Sequence, residues 1–402
     1  MRFVINLMPY LVASSAFAAV VGAFTTTSSL KVQVGRGDIT RGLVKVPVLG
    51  SFPSSSKGKI ARSNSLTLMS SSAATLDESS SIEMESKTND ISFPLLIWKF
   101  SRPHTLIGSA VAVPALHCLA APHLSSILSL TMFKSIIVSV IPALLINIYI
   151  TGLNQITDVD IDRVNKPYLP IPAGQLAVPD AKKIVSVCLT VGLSLGLLMG
   201  TPGLNMALWG SAILGTIYSL PPFRLKRFPF LAATCIVAVR GTIINVGFFA
   251  HAQKFVFGNS SGILKLFLSD RKCLLSSLFY GIFGIVIALM KDVPDVEGDA
   301  KANIRSFSVR VGQKKIFKGA RRTLSLLLFG YGAGFLNAGR SASTFSVLAS
   351  RMLVGLSSIY FGVKVRENSR GVNPESSSEV YDYYMYLWKI FYLSYFSLPF
   401  AR

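Results

Sequence analysis

The chain has 402 residues, of which 51% are hydrophobic and only 15% are charged, and its mean hydropathy is +0.52. Soluble domains carry about 25% charged residues, so this composition excludes an ordinary soluble protein and indicates an integral membrane protein. The net charge of +21 would suit nucleic-acid binding, but the apolar background argues against it and favours basic membrane loops and a basic targeting segment.

The N-terminal region has the composition of targeting sequences. Residues 1–23 combine one arginine, an apolar stretch and small residues, which is typical of a secretory signal peptide; a first membrane span is the alternative. Residues 24–90 begin with a long basic stretch rich in Ser and Thr, which resembles a plastid transit peptide. The two in series resemble the bipartite presequences of algae with secondary plastids. We therefore expect residues 91–402 to form the membrane domain.

Nine apolar segments of this domain are long enough to cross a bilayer, which takes about 17–25 residues. They show no strand-like alternation, so they predict helices, whose backbone groups satisfy one another in lipid. The predicted fold is an all-α polytopic membrane protein with about nine transmembrane helices. The segments lie near residues 104–121, 131–153, 184–201, 203–221, 229–250, 273–290, 323–339, 342–363 and 384–400.

One acidic motif follows the second segment and another follows the sixth. Because both numbers are even, both motifs should lie on the same side of the membrane. The loops on that side carry more Lys and Arg than the loops on the other side. The positive-inside rule therefore predicts that the motifs face the inner side, which is the stroma in a plastid.

The aspartates of each motif are spaced to share one helix face, provided that the helix continues beyond the membrane. Asp160 and Glu297 fall off these faces, and Pro294 weakens the assumption for the second motif because proline ends or kinks a helix. The first face comprises Asn154, Asp158 and Asp162, and the second comprises Asp292, Asp295 and Asp299.

Carboxylates clustered at a membrane surface need a compensating cation. Mg²⁺ prefers carboxylate oxygens, keeps water ligands and commonly bridges to phosphate, so the motifs predict Mg²⁺ held against a diphosphate. An acidic loop in solvent is the alternative, but two equivalent motifs on one side make it less favourable. The four cysteines and four histidines lack ligand spacing, so they predict no metal site and no disulfides. Nearby bases that would grip phosphate oxygens are Arg224, Lys226, Arg227, Lys291 and Arg305.

These motifs carry a family resemblance. "NQITDVDIDRVNKPYLP" and "KDVPDVEGD" are similar to the two aspartate motifs of UbiA-type intramembrane prenyltransferases, and "YSLPPFRLKRFP" is similar to their loop after the fourth helix. "VNKPYLPIPAG", "IRSFSVRVGQKKIF" and "YMYLWKIFYLSYFSLPF" most resemble the plastid homogentisate prenyltransferases of the tocopherol pathway. The resemblance covers about residues 93–402.

The resemblance implies nine helices around a central cavity, with the acidic motifs at its mouth. It implies Mg²⁺-dependent transfer of a phytyl group from phytyl diphosphate to homogentisate with decarboxylation, giving 2-methyl-6-phytyl-1,4-benzoquinol. In that mechanism Asp158, Asp162, Asp295 and Asp299 bind Mg²⁺ and are catalytic. Asn154, Lys166, Tyr218, Asp292 and the five bases named above belong to the substrate site.

Other interpretations remain open at this stage. "YSLPPFRLKRFP" looks more like the solanesyl-transferring enzymes of plastoquinone synthesis. Chlorophyll synthases usually read "NEPYRPIPSG" where this chain has "NKPYLPIPAG", which makes them less similar. A membrane transporter is the non-enzymatic alternative, although transporters tend to bury their acids near the bilayer midplane.

Three further residues have both a functional and a structural interpretation. Arg240 falls within the fifth segment, where a charged side chain is a functional candidate, able to grip the homogentisate carboxylate or the diphosphate; an ion pair or a snorkelling side chain is its structural alternative. Tyr168, like Tyr218, is either a cavity-mouth residue or an interfacial tyrosine. Arg351, in the eighth segment, is best explained by an imprecise segment boundary.

Overall fold

A computed structural model describes residues 91–400, so the predicted signal peptide (1–23) and transit peptide (24–90) lie outside the described residues. All regular secondary structure in this range is helical, and no strand occurs there, which confirms the all-α prediction. The helices are α1 (Phe93–Phe100), α2 (Pro103–Ala120), α3 (Leu130–Thr157), α4 (Val159–Asn165), α5 (Val178–Met199), α6 (Pro202–Ser219), α7 (Pro229–Phe257), α8 (Ile263–Ser269), α9 (Arg271–Asp292), α10 (Val296–Lys301), α11 (Phe307–Val311), α12 (Gln313–Gly339), α13 (Phe345–Glu367) and α14 (Ser377–Ser397).

Nine helices within residues 91–400 have at least 18 residues, and each corresponds to one predicted segment. Six of them, α2, α3, α5, α7, α9 and α13, are long and apolar enough to cross a membrane by length and composition. The other three, α6, α12 and α14, do not reach that threshold. Helix α12 begins with the basic sequence "QKKIFKGARR", and α14 carries Glu379, Asp382 and Lys389. The count of nine spans therefore stays a prediction.

The surface of the helical bundle carries many large apolar side chains. Leu198 is 79% exposed, Phe345 is 84% exposed and Phe230 is 73% exposed. A soluble monomer rarely exposes large contiguous apolar patches, whereas a lipid bilayer solvates such side chains. This surface therefore agrees with the membrane assignment from composition.

The interior holds an aromatic cluster between α9 and α14. Tyr280 stacks on Tyr395 with ring centroids 3.9 Å apart, and Phe391 meets Tyr280 edge to face at 5.6 Å. Trp388 packs edge to face against Phe391 at 5.2 Å and is 1% exposed. Offset and edge-to-face pairs are the favoured geometries of aromatic rings, so this cluster fixes α14 against α9.

Helices α6 and α7 meet through small residues. A Cβ atom added to Gly247 would lie 2.8 Å from the carbonyl oxygen of Gly203 and 2.9 Å from the Cβ of Ala207. The backbones of the two helices thus touch at a point that admits no side chain. Close backbone approach of this kind is a common basis of helix packing in membranes.

Replacing Gly247 by Ala should destabilise the protein by about 1–3 kcal/mol, because overpacking forces the two backbones apart. Gly319→Ala, on the exposed start of α12 with no atom within 4 Å of the added Cβ, should leave stability unchanged or raise it slightly. Thermal melting of the two full-length variants in detergent measures the difference. Equal melting temperatures would contradict the packing described here.

Candidate active site

Both aspartate motifs interrupt a helix instead of continuing it. Helix α3 ends at Thr157 and α4 begins at Val159, with Asp158 between them at φ −118°. Helix α9 ends at Asp292, and Asp295 directly precedes α10. The assumption of a continuous helix through the first motif is therefore wrong, whereas the interruption expected at Pro294 is present.

The two motifs build the same local structure. "DVDID" and "DVEGD" each place one aspartate immediately before a short helix and another at the fourth helical position. Asp158 and Asp295 occupy the leading positions, and Asp162 and Asp299 the fourth. An aspartate at a helix N-cap usually accepts a hydrogen bond from its own helix, but neither leading carboxylate does so. Their oxygens are therefore available to other groups.

Asp158 is held by three side chains from neighbouring elements. Lys226 forms an ion pair with its Oδ1, and Arg224 Nη2 donates to the same oxygen at 3.1 Å. Asn154 Nδ2 donates to Oδ2 at 2.7 Å. The loop between α6 and α7 thus delivers two cations to the first motif.

The two motifs are joined directly. Lys166, which follows the first motif, forms an ion pair with Asp295 of the second. Asn165 Nδ2 donates to the carbonyl oxygen of Asp295 at 3.0 Å, and Asn165 Oδ1 accepts from the Gly298 amide at 2.9 Å. The structure therefore brings the two motifs into direct contact, whereas the parity of the segments predicted only that they lie on the same side of the membrane.

A small charged cavity of about 40 Å³ lies between the motifs. Five carboxylates line it, and all four aspartates at the leading and fourth positions are at most 9% exposed. Lys166, Lys226 and the amide of Asn154 on its wall pair directly with these carboxylates. Its polar lining consists of Arg102, Asn154, Asp158, Asp162, Asn165, Lys166, Tyr218, Lys226, Lys291, Asp292, Asp295, Asp299 and Ser306.

Burial perturbs the charges of this cavity. It raises the pKa of Asp299 to about 7, with the neighbouring Asp292 and Asp295 adding to the effect. Burial also raises the pKa of Asp162, against the opposing pull of Arg102 and Lys166. The pKa of Lys226 falls to about 8 because burial outweighs its attraction to Asp158. The cavity therefore concentrates charge in poorly solvated surroundings, where an additional cation or anion interacts strongly.

The donor set of the charged cavity matches the ligand preferences of Mg²⁺. Within residues 91–400 no group of three or more His, Cys, Asp or Glu side chains is arranged as a ready-made metal site. Mg²⁺ seldom needs one, because it keeps several waters and binds one or two carboxylates together with substrate phosphates. The cavity offers carboxylate and amide oxygens with no thiolate or imidazole on its wall, so its chemistry fits Mg²⁺ bound together with a phosphate ligand.

A second, apolar cavity of about 230 Å³ adjoins the charged one. Its walls come from α2, α3, α6, α7 and the end of α9. Arg102, Asn154, Tyr218 and Lys291 line both cavities. The two spaces therefore meet at a boundary of two cations, one amide and one phenol.

The predicted site residues are not all brought together. Ten of the thirteen line the charged cavity: Asn154, Asp158, Asp162, Lys166, Tyr218, Lys226, Lys291, Asp292, Asp295 and Asp299. Arg224 contacts Asp158 from just outside it. Arg227 and Arg305 are exposed and line neither cavity.

The remaining candidates lie in different surroundings. Tyr168 is 55% exposed and contacts the ring of Tyr381, as an interfacial tyrosine would. Arg351 Nη1 donates to the carbonyl oxygen of Ala338 at 2.6 Å, at the end of α12. Arg240 lies on the wall of the apolar cavity.

Two site residues were missed by sequence reasoning. Arg102 lies 3.5 Å from Asp162 and lines both cavities, at φ 52° in the turn before α2. A basic residue next to the proline that starts the first span was the available signal. Asn165 stands inside the quoted motif "VNKPYLP", three residues after Asp162 and seven after Asp158, so its helical spacing on the face of these aspartates was the available signal.

Comparison with known proteins agrees with this architecture. The sequence matches the UbiA prenyltransferase family over residues 109–390. It is 38% identical to homogentisate phytyltransferase 1, chloroplastic, of Arabidopsis thaliana, over 76% of this chain and 75% of that one. It is 34% identical to homogentisate geranylgeranyltransferase of Hordeum vulgare, over 76% and 72%.

A solved structure shares the fold. It is that of a UbiA homolog from Archaeoglobus fulgidus bound to DMAPP and Mg²⁺, with a TM-score of 0.51 and 15% sequence identity. The likeness covers 76% of this chain and 99% of that chain. With its paired aspartate motifs, its two adjoining cavities and a family match across most of its length, the chain belongs to the UbiA prenyltransferase family.

Proposed function

We propose that this protein transfers a prenyl group, preferably phytyl, from its diphosphate to homogentisate with loss of CO₂, yielding 2-methyl-6-phytyl-1,4-benzoquinol in tocopherol biosynthesis. The junction of the two cavities carries the proposal, because a prenyl diphosphate joins a charged head to an apolar tail. The names of the relatives from Arabidopsis thaliana and Hordeum vulgare support homogentisate as the acceptor.

The diphosphate binds in the charged cavity. Lys166, Lys226 and Arg224 already hold carboxylates there, and Arg102 and Lys291 stand at the boundary with the apolar cavity. These cations exchange part of their carboxylate contacts for phosphate oxygens, with which Arg and Lys form strong charge-assisted hydrogen bonds. The bond to be broken then lies at the boundary between the two cavities.

Mg²⁺ would be held by Asp158, Asp162, Asp295 and Asp299, with Asn154 and Asp292 supporting them. When bound, it acts as a Lewis acid that stabilises the charge developing on the leaving diphosphate. The use of Mg²⁺ is supported by the oxygen-only donor set and by the UbiA homolog from Archaeoglobus fulgidus bound to DMAPP and Mg²⁺.

The apolar cavity receives the isoprenoid chain and the aromatic ring. Its lining is mainly aliphatic, including Ile146, Leu208, Leu214 and Ile236. Such walls exclude water from the carbocation-like carbon that forms as the allylic C–O bond breaks. The electron-rich ring of the acceptor then attacks that carbon in place of water. The ring carbon that takes the prenyl group loses its proton, and the side-chain carbon that loses CO₂ takes up a proton to become the methyl group.

We further propose that the protein resides in a plastid membrane with its charged cavity facing the stroma. The exposed apolar side chains and six apolar helices support a membrane location. The chloroplastic relative of Arabidopsis thaliana supports the plastid. The orientation rests on the Lys and Arg of the loops, and delivery by a bipartite presequence rests on the composition of residues 1–90.

Asp158→Asn and Asp295→Asn should each lower turnover by at least about a hundredfold, because each removes a charged oxygen ligand from the site. Each has a matched control two residues further along the chain, Asp160→Asn and Glu297→Gln. Both control residues are exposed and lie off the cavity. Turnover of the full-length variants, alongside their melting temperatures, tests the site; equal losses in variants and controls would refute it.

Lys226→Gln should raise the KM for the prenyl diphosphate about tenfold or more, since it removes a buried cation that contacts phosphate. Arg227→Gln, one residue along the chain, should change this KM by less than about twofold because Arg227 faces solvent. Steady-state kinetics at saturating acceptor separate the two. A larger effect at Arg227 would show that the loop binds the substrate differently.

The reaction itself is tested with the full-length protein in membranes of a host that lacks these quinones. Homogentisate, Mg²⁺ and phytyl, geranylgeranyl or solanesyl diphosphate are supplied in parallel, and products are identified by mass spectrometry. We expect the phytyl product, and no product when Mg²⁺ is chelated. A preference for solanesyl diphosphate would indicate the plastoquinone branch. No product with any donor would refute homogentisate as acceptor. The next assays would then offer chlorophyllide as acceptor and test for membrane transport.

A further inference from the structure

Arg240 stands in an irregular part of a membrane helix. Residues Ala238–Ile243 of α7 form a π-helical turn, and Arg240 is its third residue. π-Helical turns inside α-helices often mark functional sites. A guanidinium within a membrane span is costly unless a partner compensates its charge, so this position needs an explanation.

The turn is held in place by neighbouring side chains. Asn245 Nδ2 donates to the carbonyl oxygens of Arg240 and Gly241, and Ser277 Oγ donates to that of Gly241. A Cβ atom on Gly241 would lie 2.8 Å from Gly281 Cα, so α7 and α9 touch there. The carbonyl oxygens of Arg240 and Gly241 thus have hydrogen-bond partners. The backbone from which the Arg240 side chain projects is therefore held in place.

The guanidinium lies against aromatic rings instead of carboxylates. Its central carbon is 5.1 Å from the centroid of Trp388 and 5.5 Å from that of Phe391. No ion pair among the described residues includes Arg240, and the wall of the apolar cavity that it lines contains no Asp or Glu. Cation–π contacts offset part of its desolvation but leave its hydrogen-bond donors without an anion.

The charges of the two cavities are distributed unequally. The apolar cavity has three charged residues on its wall, Arg102, Arg240 and Lys291, and all three are cations. Arg102 lies 3.5 Å from Asp162, and Lys291 lies 4.0 Å from Asp292. Arg240 alone of these three lacks a carboxylate among the described residues. A ligand in this cavity therefore gains the most binding energy from its charge when it places an anionic group against Arg240.

We propose that Arg240 binds the carboxylate of the aromatic acceptor and thereby selects aryl acids as acceptors; this rests on the proposed function. The diphosphate is already matched by the cations around the charged cavity, whose wall does not include Arg240. A planar guanidinium binds a carboxylate through two parallel hydrogen bonds. The Trp388 and Phe391 rings contact the guanidinium on the wall of the apolar cavity and help to hold it there.

The test compares Arg240→Gln with the wild-type full-length protein. We expect the KM for homogentisate to rise about tenfold or more, as expected for loss of a charge-assisted pair, and the KM for the prenyl diphosphate to change by less than about twofold. Arg240→Lys keeps the charge but not the paired geometry, so its KM for homogentisate should lie between the values of the wild type and Arg240→Gln. Arg351→Gln, a membrane-helix arginine outside both cavities, is the matched control and should behave as wild type.

Inhibition by unreactive analogues gives a second readout. Phenylacetate should compete with homogentisate in the wild type much better than phenylacetamide, which lacks the charge, and Arg240→Gln should abolish this preference. Equal inhibition of the wild type by the two compounds would overturn the proposal even if the variant fails to fold. A rise in the KM for the prenyl diphosphate alone would overturn it too, by assigning Arg240 to the diphosphate.

The proposal and the proposed function fail in different ways. If the wild type prenylates a different hydroxylated aromatic acid, and Arg240→Gln raises the KM for that acid, homogentisate is wrong and the role of Arg240 stands. If homogentisate is prenylated with the same KM by the wild type and by Arg240→Gln, the function stands and the role of Arg240 is refuted.

Discussion

The compensation of buried charge is the constraint on which this structure depends. Five carboxylates line one small cavity at the ends of membrane helices, and burial of such groups is tolerated only when cations compensate them. The cations come from separate parts of the chain: Arg102 before α2, Lys166 after α4, and Lys226 in the loop between α6 and α7. Each ion pair therefore also ties a loop to the bundle, so the charges that form the site organise the fold around it.

The helix interruptions follow from the same constraint. In a continuous helix, the second aspartate of each motif would lie about one turn beyond the first, further from the membrane on the same helix axis. Breaks at Asp158 and before Asp295 let two short helices turn toward each other, and Asn165 joins them by bonding to Asp295 and Gly298. Two long helices distant in sequence thereby supply two equivalent halves of one site.

The adjoining cavities divide the chemistry between them. Of the residues that line the two cavities, all the carboxylates belong to the charged one, where they balance cations that would also attract a diphosphate. The apolar cavity contains cations but no acid on its wall, so it favours an apolar chain together with a single anionic group. In the proposed reaction, Arg102 and Lys291 at the boundary would keep the charge that develops on a leaving diphosphate on one side, away from the apolar space where the new bond would form.

The sequence by itself determined the class of protein, the helical segments and the two motifs, because apolar runs and aspartate spacing are local properties of the chain. Counting segments predicted only that the motifs lie on the same side of the membrane; their direct contact through Lys166 and Asn165 appears only in the tertiary structure. Only the tertiary structure separated Lys226 from Arg227, which share the same sequence signal but differ in burial. It also brought Arg102 and Asn165 into the site. It placed Arg240 against Trp388, which lies 148 positions further along the chain. Such contacts depend on how helices pack and where their backbones break, which no local pattern of residues records.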